Sequence, residues 1–206
     1  PFRNVGLLQG PDVIRGLDMA DFHSLDGMLR DIKPDCIVNC VGIIKQRDEA
    51  RQAVPNITIN ALLPHKLAAF AAKWGGRVIQ PSTDCVFSGK RGRYLEDDAS
   101  DAEDLYGRTK YLGELHEDNA VTLRTSIIGR ELVEHRSLLD WLLYQKAPSV
   151  KGYRRVIYSG LTTIELSRVV ADVIHRSPGL SGLFHVASEP ISKFDLLVLL
   201  TKAFAL

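Results

Sequence analysis

The chain has no long apolar run, little cysteine, no excess of either charge, and no glycine-rich phosphate turn behind a strand at its start. Its longest apolar stretches, around Ile37-Val38 and from Leu196 to Leu200, fall far short of the roughly 20 residues that a membrane-spanning helix needs, so no membrane association is expected. Lysine and arginine total 26 against 25 aspartates and glutamates, a formal charge of +1, which argues against nucleic acid or an acidic surface as partner. Only Cys36, Cys40 and Cys85 carry thiols; an odd number, two of them in an apolar run, reads as reduced cysteine and hence a cytoplasmic protein. The histidines at 23, 65, 116, 135, 175 and 185 show no ligand spacing beside Cys36 and Cys40, so no metal site is expected. Pro1 is not followed by a basic and then apolar leader, so the start offers no secretion signal. What remains, 206 residues with 45% hydrophobic and 25% charged side chains, is the composition of a globular chain.

Hydrophobic periodicity supplies the elements. Residues 12–18 read as a short strand, followed by a helix in which Leu25, Met28, Leu29 and Ile32 keep helical spacing, Asp21 caps and Pro34 stops. Residues 35–44 are almost continuously apolar, as in a strand covered on both faces. A helix is predicted over 57–73, with Pro64 either kinking it or marking its true start, and Gly75-Gly76 ending it. A third strand covers 77–81, an acidic loop 89–104, a helix 105–117 and a fourth strand 120–128. Strand and helix alternating at this spacing predict right-handed crossovers and an α/β, Rossmann-like, doubly wound parallel sheet. Beyond Gly129 the pattern changes to helix 137–145, strand 155–159, helix 163–175, strand 183–187 and helix 193–204, with Thr162 and Ser192 placed as caps. The expected organisation is therefore a cofactor domain over 1–129 and a smaller α+β substrate lobe over 130–206. Trp74 and Trp141 are expected to pack against the sheet and the second lobe.

The sharpest chemical feature is Tyr106-Gly-Arg-Thr-Lys110 at a helix start, where spacing i to i+4 puts phenol and ammonium on one face about 5–6 Å apart at Cβ. A phenol with a usual pKa of about 10 is a poor proton donor or acceptor at neutral pH, and a neighbouring cation favours its phenolate. Thr83 sits just past the carboxyl end of a buried strand, where ligands bind in open parallel sheets, and its hydroxyl can bond a substrate carbonyl. Turn and capping chemistry is the plain alternative for Ser82 and Thr83. Ser82-Thr-Asp lacks the flanking glycines of a hydrolase nucleophile elbow. The acids between Glu96 and Asp104 read as a solvated loop. Arg91, Arg93, Arg154 and Arg155 are candidates for a nucleotide diphosphate, which guanidinium matches bidentately.

Together these residues resemble the active site of extended short-chain dehydrogenases/reductases. Asn39-Cys-Val-Gly-Ile, Asn60-Ala-Leu-Leu-Pro-His-Lys-Leu-Ala, Ser82-Thr-Asp-Cys-Val-Phe-Ser-Gly, Tyr106-Gly-Arg-Thr-Lys-Tyr-Leu-Gly-Glu and Leu123-Arg-Thr-Ser are similar to dTDP-4-dehydrorhamnose reductases and related sugar-nucleotide reductases over nearly the whole chain. The resemblance implies catalytic positions for Thr83 as hydroxyl partner, Tyr106 as proton donor and Lys110 as the cation that tunes the phenol and holds the nicotinamide ribose. It implies NADP or NAD as cofactor, with Asp18 near the adenine end and Val41 and Gly42 along the ribose and phosphate path. A nucleotide-sugar substrate and a homo-oligomer are further implications.

Two departures stand out. Reductases of this type open with a strand and a Gly-x-x-Gly-x-x-Gly turn; Gly6 and Gly10 have the wrong spacing, so the chain is expected to lack the first βα unit and to be the central portion of a longer protein. Cys85 stands where an aromatic residue is common. The competing expectation is a non-catalytic relative, as the regulatory beta subunit of methionine adenosyltransferase resembles the same reductases. A third is a sugar-nucleotide epimerase or dehydratase, in which an acidic pair commonly follows the hydroxyl residue; here Asp84 is followed by Cys85.

Overall fold

The structure, a computed structural model, describes residues 13–45, 48–131 and 137–205. Gly6 and Gly10 lie outside the described residues. From Val13 to Asp18 no strand forms, contrary to expectation. Turn chemistry wins there: Gly16 adopts φ +74°, and the Asp18 carboxylate accepts the Ala20 N–H at 2.9 Å, which bends the backbone out of a pleat. Asp21 then caps α1 (Phe22–Ile32) as expected, accepting the N–H groups of His23 and Ser24, and Leu25 and Leu29 turn inward one helical turn apart.

β1 (Cys36–Val38) leads through a loop to α2 (Ala53–Asn56), a π-helical stretch (Ile57–Leu62) and α3 (Leu63–Ala72). The expected single helix starts earlier, and Pro64 neither begins nor breaks it. Proline lacks an N–H and its ring crowds the carbonyl four residues back. Widening the turn ahead of it, with the Leu63 N–H reaching the Thr58 carbonyl, accommodates the ring and rotates Asn60 into the interior. β2 (Arg77–Thr83), α4 (Leu105–Leu112) and β3 (Ala120–Thr125) follow, and α4 ends well before residue 117, at Gly113. The predicted strand over 120–128 divides, because β3 stops at Thr125 and β4 (Ile127–Ile128) pairs elsewhere.

α5 (Leu138–Leu143), β5 (Ile157–Tyr158), β6 (Leu161–Thr162), α6 (Thr163–Arg176), β7 (Gly182–His185), β8 (Ile191–Ser192) and α7 (Lys193–Ala203) complete the chain. The main sheet runs β1-β2-β3-β7, all neighbours parallel, with Ile37 beside Val78, Ile79 beside Val121 and Leu123 beside Phe184. Every residue of β3 is buried, which requires cover on both faces of the sheet. The core gathers Leu25, Leu29, Leu63, Leu67, Phe70 and Val78. Trp74 packs against it and donates its indole N–H to the Pro34 carbonyl at 3.0 Å.

Two compact units emerge, Pro1–Thr125 with Val170–His185 and Ser126–Val169 with Val186–Leu206. Within the second, β4 pairs with β6 in parallel and β5 with β8 antiparallel. Ser192 caps α7 as expected, its hydroxyl accepting the Asp195 N–H at 3.0 Å, and Thr162 accepts from Glu165 at the start of α6. α5 turns Leu139, Asp140 and Leu142 inward and leaves Trp141 38% exposed. Among the described residues no helix is long and apolar enough to cross a membrane.

Candidate active site

The carboxyl end of β2 carries Thr83, buried, at the edge where open parallel sheets bind ligands. Its hydroxyl accepts the Cys85 N–H at 3.1 Å, capping the short 3-10 turn Asp84–Val86. It donates to Asp84 Oδ1 at 3.3 Å and lies near enough to the Tyr106 phenol to favour its phenolate. The capping reading of Thr83 therefore holds. α4 approaches this turn closely because residue 107 is glycine: a Cβ there would stand 2.3 Å from the Cys85 carbonyl oxygen. Asp104 starts the helix by accepting the Gly107 N–H at 2.7 Å. Lys110, one turn after Tyr106, is buried and donates to the Pro81 carbonyl in β2 at 2.8 Å. The structure therefore brings Thr83, Tyr106 and Lys110 together against one strand end.

The electrostatics differ from the simple expectation that Lys110 acidifies the phenol. Burial pushes Tyr106 up to about 12, against the pull of the Thr83 hydroxyl and of the Lys45 ammonium, while Cys85 and Asp84 reinforce the rise. Burial also brings the Lys110 amine down to about 8, opposed by Glu114. Both shifts have one cause, the cost of placing charge in a dry environment.

The residues expected along the cofactor path sit in the loop after β1. Val41 donates its N–H to the Asn39 carboxamide at 3.2 Å, and Asn39 in turn donates to Gln80 at 2.7 Å. A Cβ on Gly42 would lie 3.5 Å from Asn60 Oδ1. Asp18 is apart from this group, exposed at the entrance to α1. Sequence reasoning missed what holds the loop: Asn60 accepts the Ile43 N–H at 2.8 Å and donates to the Ile43 carbonyl at 2.9 Å. The signal available was a polar residue in an otherwise apolar helical pattern ahead of Pro64.

Also missed was a buried ion pair. Arg124 in β3 donates from Nε to Glu114 Oε1 and from a terminal nitrogen to Glu114 Oε2, both at 2.8 Å. Ser82 adds its hydroxyl to Oε1 at 2.7 Å, so the pair is fastened to the residue beside Thr83. The acidic stretch is a solvent-facing loop as expected, and its carboxylates also fasten it by hydrogen bonds. Glu96 Oε1 accepts the His185 N–H at 2.9 Å, Asp101 accepts both the N–H and hydroxyl of Ser88, and Asp98 accepts the Leu95 N–H at 2.6 Å. These hydrogen bonds hold the three carboxyls below their usual range. Among the candidate arginines, Arg91 pairs with Asp98 and Arg154 stacks on Phe194 at 3.8 Å. Cys36, Cys40 and Cys85 are all unpaired.

A parallel sheet with a hydroxyl at a strand end and Tyr-x3-Lys on the next helix defines a Rossmann-like chain of the extended short-chain dehydrogenase/reductase type. More narrowly, the chain belongs to the RmlD substrate binding domain family, whose profile matches residues 8–204. A dTDP-4-dehydrorhamnose reductase from Clostridium acetobutylicum superposes with a TM-score of 0.81 at 24% identity, over 92% of this chain and 69% of that one. The Bacillus anthracis dTDP-4-dehydrorhamnose reductase, solved with NADP, gives 0.80 at 22%, again over 92% and 69%. At these identities the likeness speaks for the fold. Among curated relatives, methionine adenosyltransferase 2 subunit beta of Xenopus tropicalis is 24% identical over 204 residues, 92% of this chain. The chain spans 60% of that relative's length.

Proposed function

We propose that the protein is an NAD(P)H-dependent reductase of a nucleotide-linked 4-keto-6-deoxy sugar, working in the synthesis of cell-surface polysaccharide precursors. The observation that carries this reading is the gathering of Thr83, Tyr106 and Lys110 at the carboxyl edge of a parallel sheet, with Lys110 buried and donating to the Pro81 carbonyl of that strand. The residues fit a nicotinamide cofactor by their donor chemistry. An ammonium has three donors and Pro81 takes one, which leaves Lys110 two N–H groups for ribose hydroxyls. Asn60 holds the backbone of the neighbouring loop, where Val41 and Gly42 would line the ribose and phosphate path, with Asp18 toward the adenine.

The reduced nicotinamide, when bound, supplies hydride to the carbonyl carbon. Thr83 orients the carbonyl oxygen, and Tyr106 gives it a proton. At about 12 the phenol is fully protonated at neutral pH but a weaker acid than a free tyrosine, so general acid catalysis here depends on positive charge near the ring when cofactor and substrate are bound. The Lys110 charge stabilises the phenolate that remains.

A second reading is a regulatory subunit that binds nucleotide without turnover; the similarity to methionine adenosyltransferase 2 subunit beta favours it. An epimerase or dehydratase is a weaker third, as Asp84 is followed by a thiol. The test is loss of reduced-nicotinamide absorbance on mixing the full-length protein with dTDP- or UDP-linked 4-keto-6-deoxy sugar, beside Tyr106→Phe. The reductase reading expects turnover in the parent and a loss of about 10²- to 10⁴-fold in the variant, with nucleotide binding retained. Undiminished turnover in Tyr106→Phe would remove Tyr106 as donor. Tight nucleotide binding with no turnover on any keto sugar would favour the regulatory reading.

A further inference from the structure

Lys45 occupies the turn after the β1 loop, and its ammonium meets α4 from outside that helix. It donates to Asp104 Oδ2 at 2.6 Å and stands 5.5 Å from the centre of the Tyr106 ring, within cation–π range. Asp104 uses its other oxygen to cap α4, so one carboxylate joins Lys45 to the first turn of the helix that carries the phenol. The Lys45 and Asp104 side chains are 41% and 53% exposed, and pairs this open to water add little to folding stability. Their geometry is better explained by their effect on the buried ring between them and β2.

The groups facing Tyr106 come from several elements. Asp84 and the Cys85 thiol, in the turn after β2, oppose the phenolate; the Thr83 hydroxyl, at the end of β2, favours it. Lys110, on α4 itself, directs its amine to Pro81. Lys45 supplies positive charge from the β1 side, partly offset by Asp104.

We infer that Lys45 is a positioning residue of the proton-transfer site, a second cation that acts through Tyr106 by stabilising the phenolate left when the phenol O–H breaks and its proton passes to the substrate oxygen. The inference rests on the reading of Tyr106 as proton donor, but its effect on the phenol is measurable without substrate or cofactor.

The experiment labels the full-length protein with a ring-fluorinated tyrosine, which acidifies the phenols into a range the fold tolerates, and follows fluorine NMR against pH. The Tyr106 signal is assigned by its loss in Tyr106→Phe. Lys45→Met is expected to raise the Tyr106 midpoint by about half a pH unit, about threefold in ionisation constant, the size of a half-exposed charge acting at this range in a largely aqueous dielectric. Lys45→Arg restores the parent midpoint, which a merely structural role would not predict. Asp104→Ser, which keeps a cap oxygen and removes the opposing charge, lowers it. The signals of the other tyrosines, unmoved, report the intact fold. Equal midpoints in the parent and Lys45→Met overturn the inference, even with turnover intact. A shift in Lys45→Met beside a parent without turnover would uphold the action of Lys45 on the phenol and count against the reductase reading alone.

Discussion

Replacing Glu114 by alanine removes the carboxylate half of the most deeply buried ion pair in the first unit. Glu114 is fully enclosed and the Arg124 side chain only 4% exposed, so after the substitution a permanently charged guanidinium stays in the interior. It keeps the Glu96 carbonyl at 3.1 Å and a contact with His185 Nε2 at 3.3 Å, neither of which carries a compensating negative charge. Stranding one member of a buried pair costs about 3–5 kcal/mol. The orphaned Ser82 hydroxyl adds about 1 kcal/mol. The expected loss is therefore about 4–6 kcal/mol, a large part of the roughly 5–15 kcal/mol that holds a protein folded.

Urea unfolding followed by Trp74 fluorescence in a Trp141→Phe background reads this out, because Trp74 packs on the core of the first unit. With a slope of about 2 kcal/mol per molar urea, the midpoint should fall by about 2–3 M. Ser82→Ala alone should cost about 1 kcal/mol. Glu114→Leu combined with Arg124→Met, which removes both charges, should lie much nearer the parent than Glu114→Ala does. The reasoning fails if Glu114→Ala stays within about 1 kcal/mol of the parent, or if the paired apolar variant is as unstable as the single one.

Three further outcomes concern the residues of α4. Folded Lys110 titrates near about 8 against an ordinary 10.5, so between these values the unfolded chain holds a proton that the folded chain has lost, and stability rises with pH. The penalty, on the order of 3 kcal/mol, is fully present below about pH 8. Lys110→Met should thus gain on the parent at pH 7, with the advantage shrinking toward pH 10.5 in unfolding titrations; a difference independent of pH would refute this. Tyr106, with a folded value of about 12 against 10.0, works in the opposite sense, since the folded chain keeps its proton longer and stability is lost as pH rises above 10.0. Gly107→Ala would drive a Cβ to 2.3 Å from the Cys85 carbonyl and 2.8 Å from Ala102 Cβ. The first turn of α4 must retreat, at about 1–3 kcal/mol, separating Tyr106 from Thr83. Thermal unfolding and turnover on a keto sugar should both suffer, and a variant unchanged in both would contradict the close packing.

What could be read from sequence was local or strongly periodic. β3 was placed by its alternation over 120–128, although the strand stops at Thr125 and buries its polar positions as well as its apolar ones. The caps at Asp21, Thr162 and Ser192 were legible because a cap bonds two or three residues away in the same chain. The spacing of Tyr106 and Lys110 likewise needs only one helical turn. Glu114 and Arg124 were illegible for the opposite reason: paired charges separated by a turn look like solvated ones until the strand buries them. Asn60 depends on a widened turn that no periodicity announces, and its partner Ile43 lies seventeen residues earlier. At 13–18 a reading based on neighbouring elements lost to Gly16 and Asp18, whose local turn preferences prevailed.

The protonation state of the site follows from the way burial acts on unlike groups. Removing water penalises whichever form is charged, so it raises an acid and lowers a base, and Tyr106 and Lys110 each move toward their own neutral form. At pH 7 only one of them is neutral. With Lys110 near about 8, its ammonium still outnumbers the free amine roughly ten to one at pH 7, while the phenol at about 12 holds its proton almost completely. The ligand-free site therefore combines a filled proton donor with a cation one helical turn away. That is the state required to protonate a carbonyl oxygen and then to stabilise the phenolate. The reverse direction needs the phenolate first, at a pH where Lys110 is itself losing charge. Under the reductase reading proposed above, desolvation of one lysine and one tyrosine on a single helix face leaves the proton donor filled and a cation near it at neutral pH, before any contact with substrate contributes.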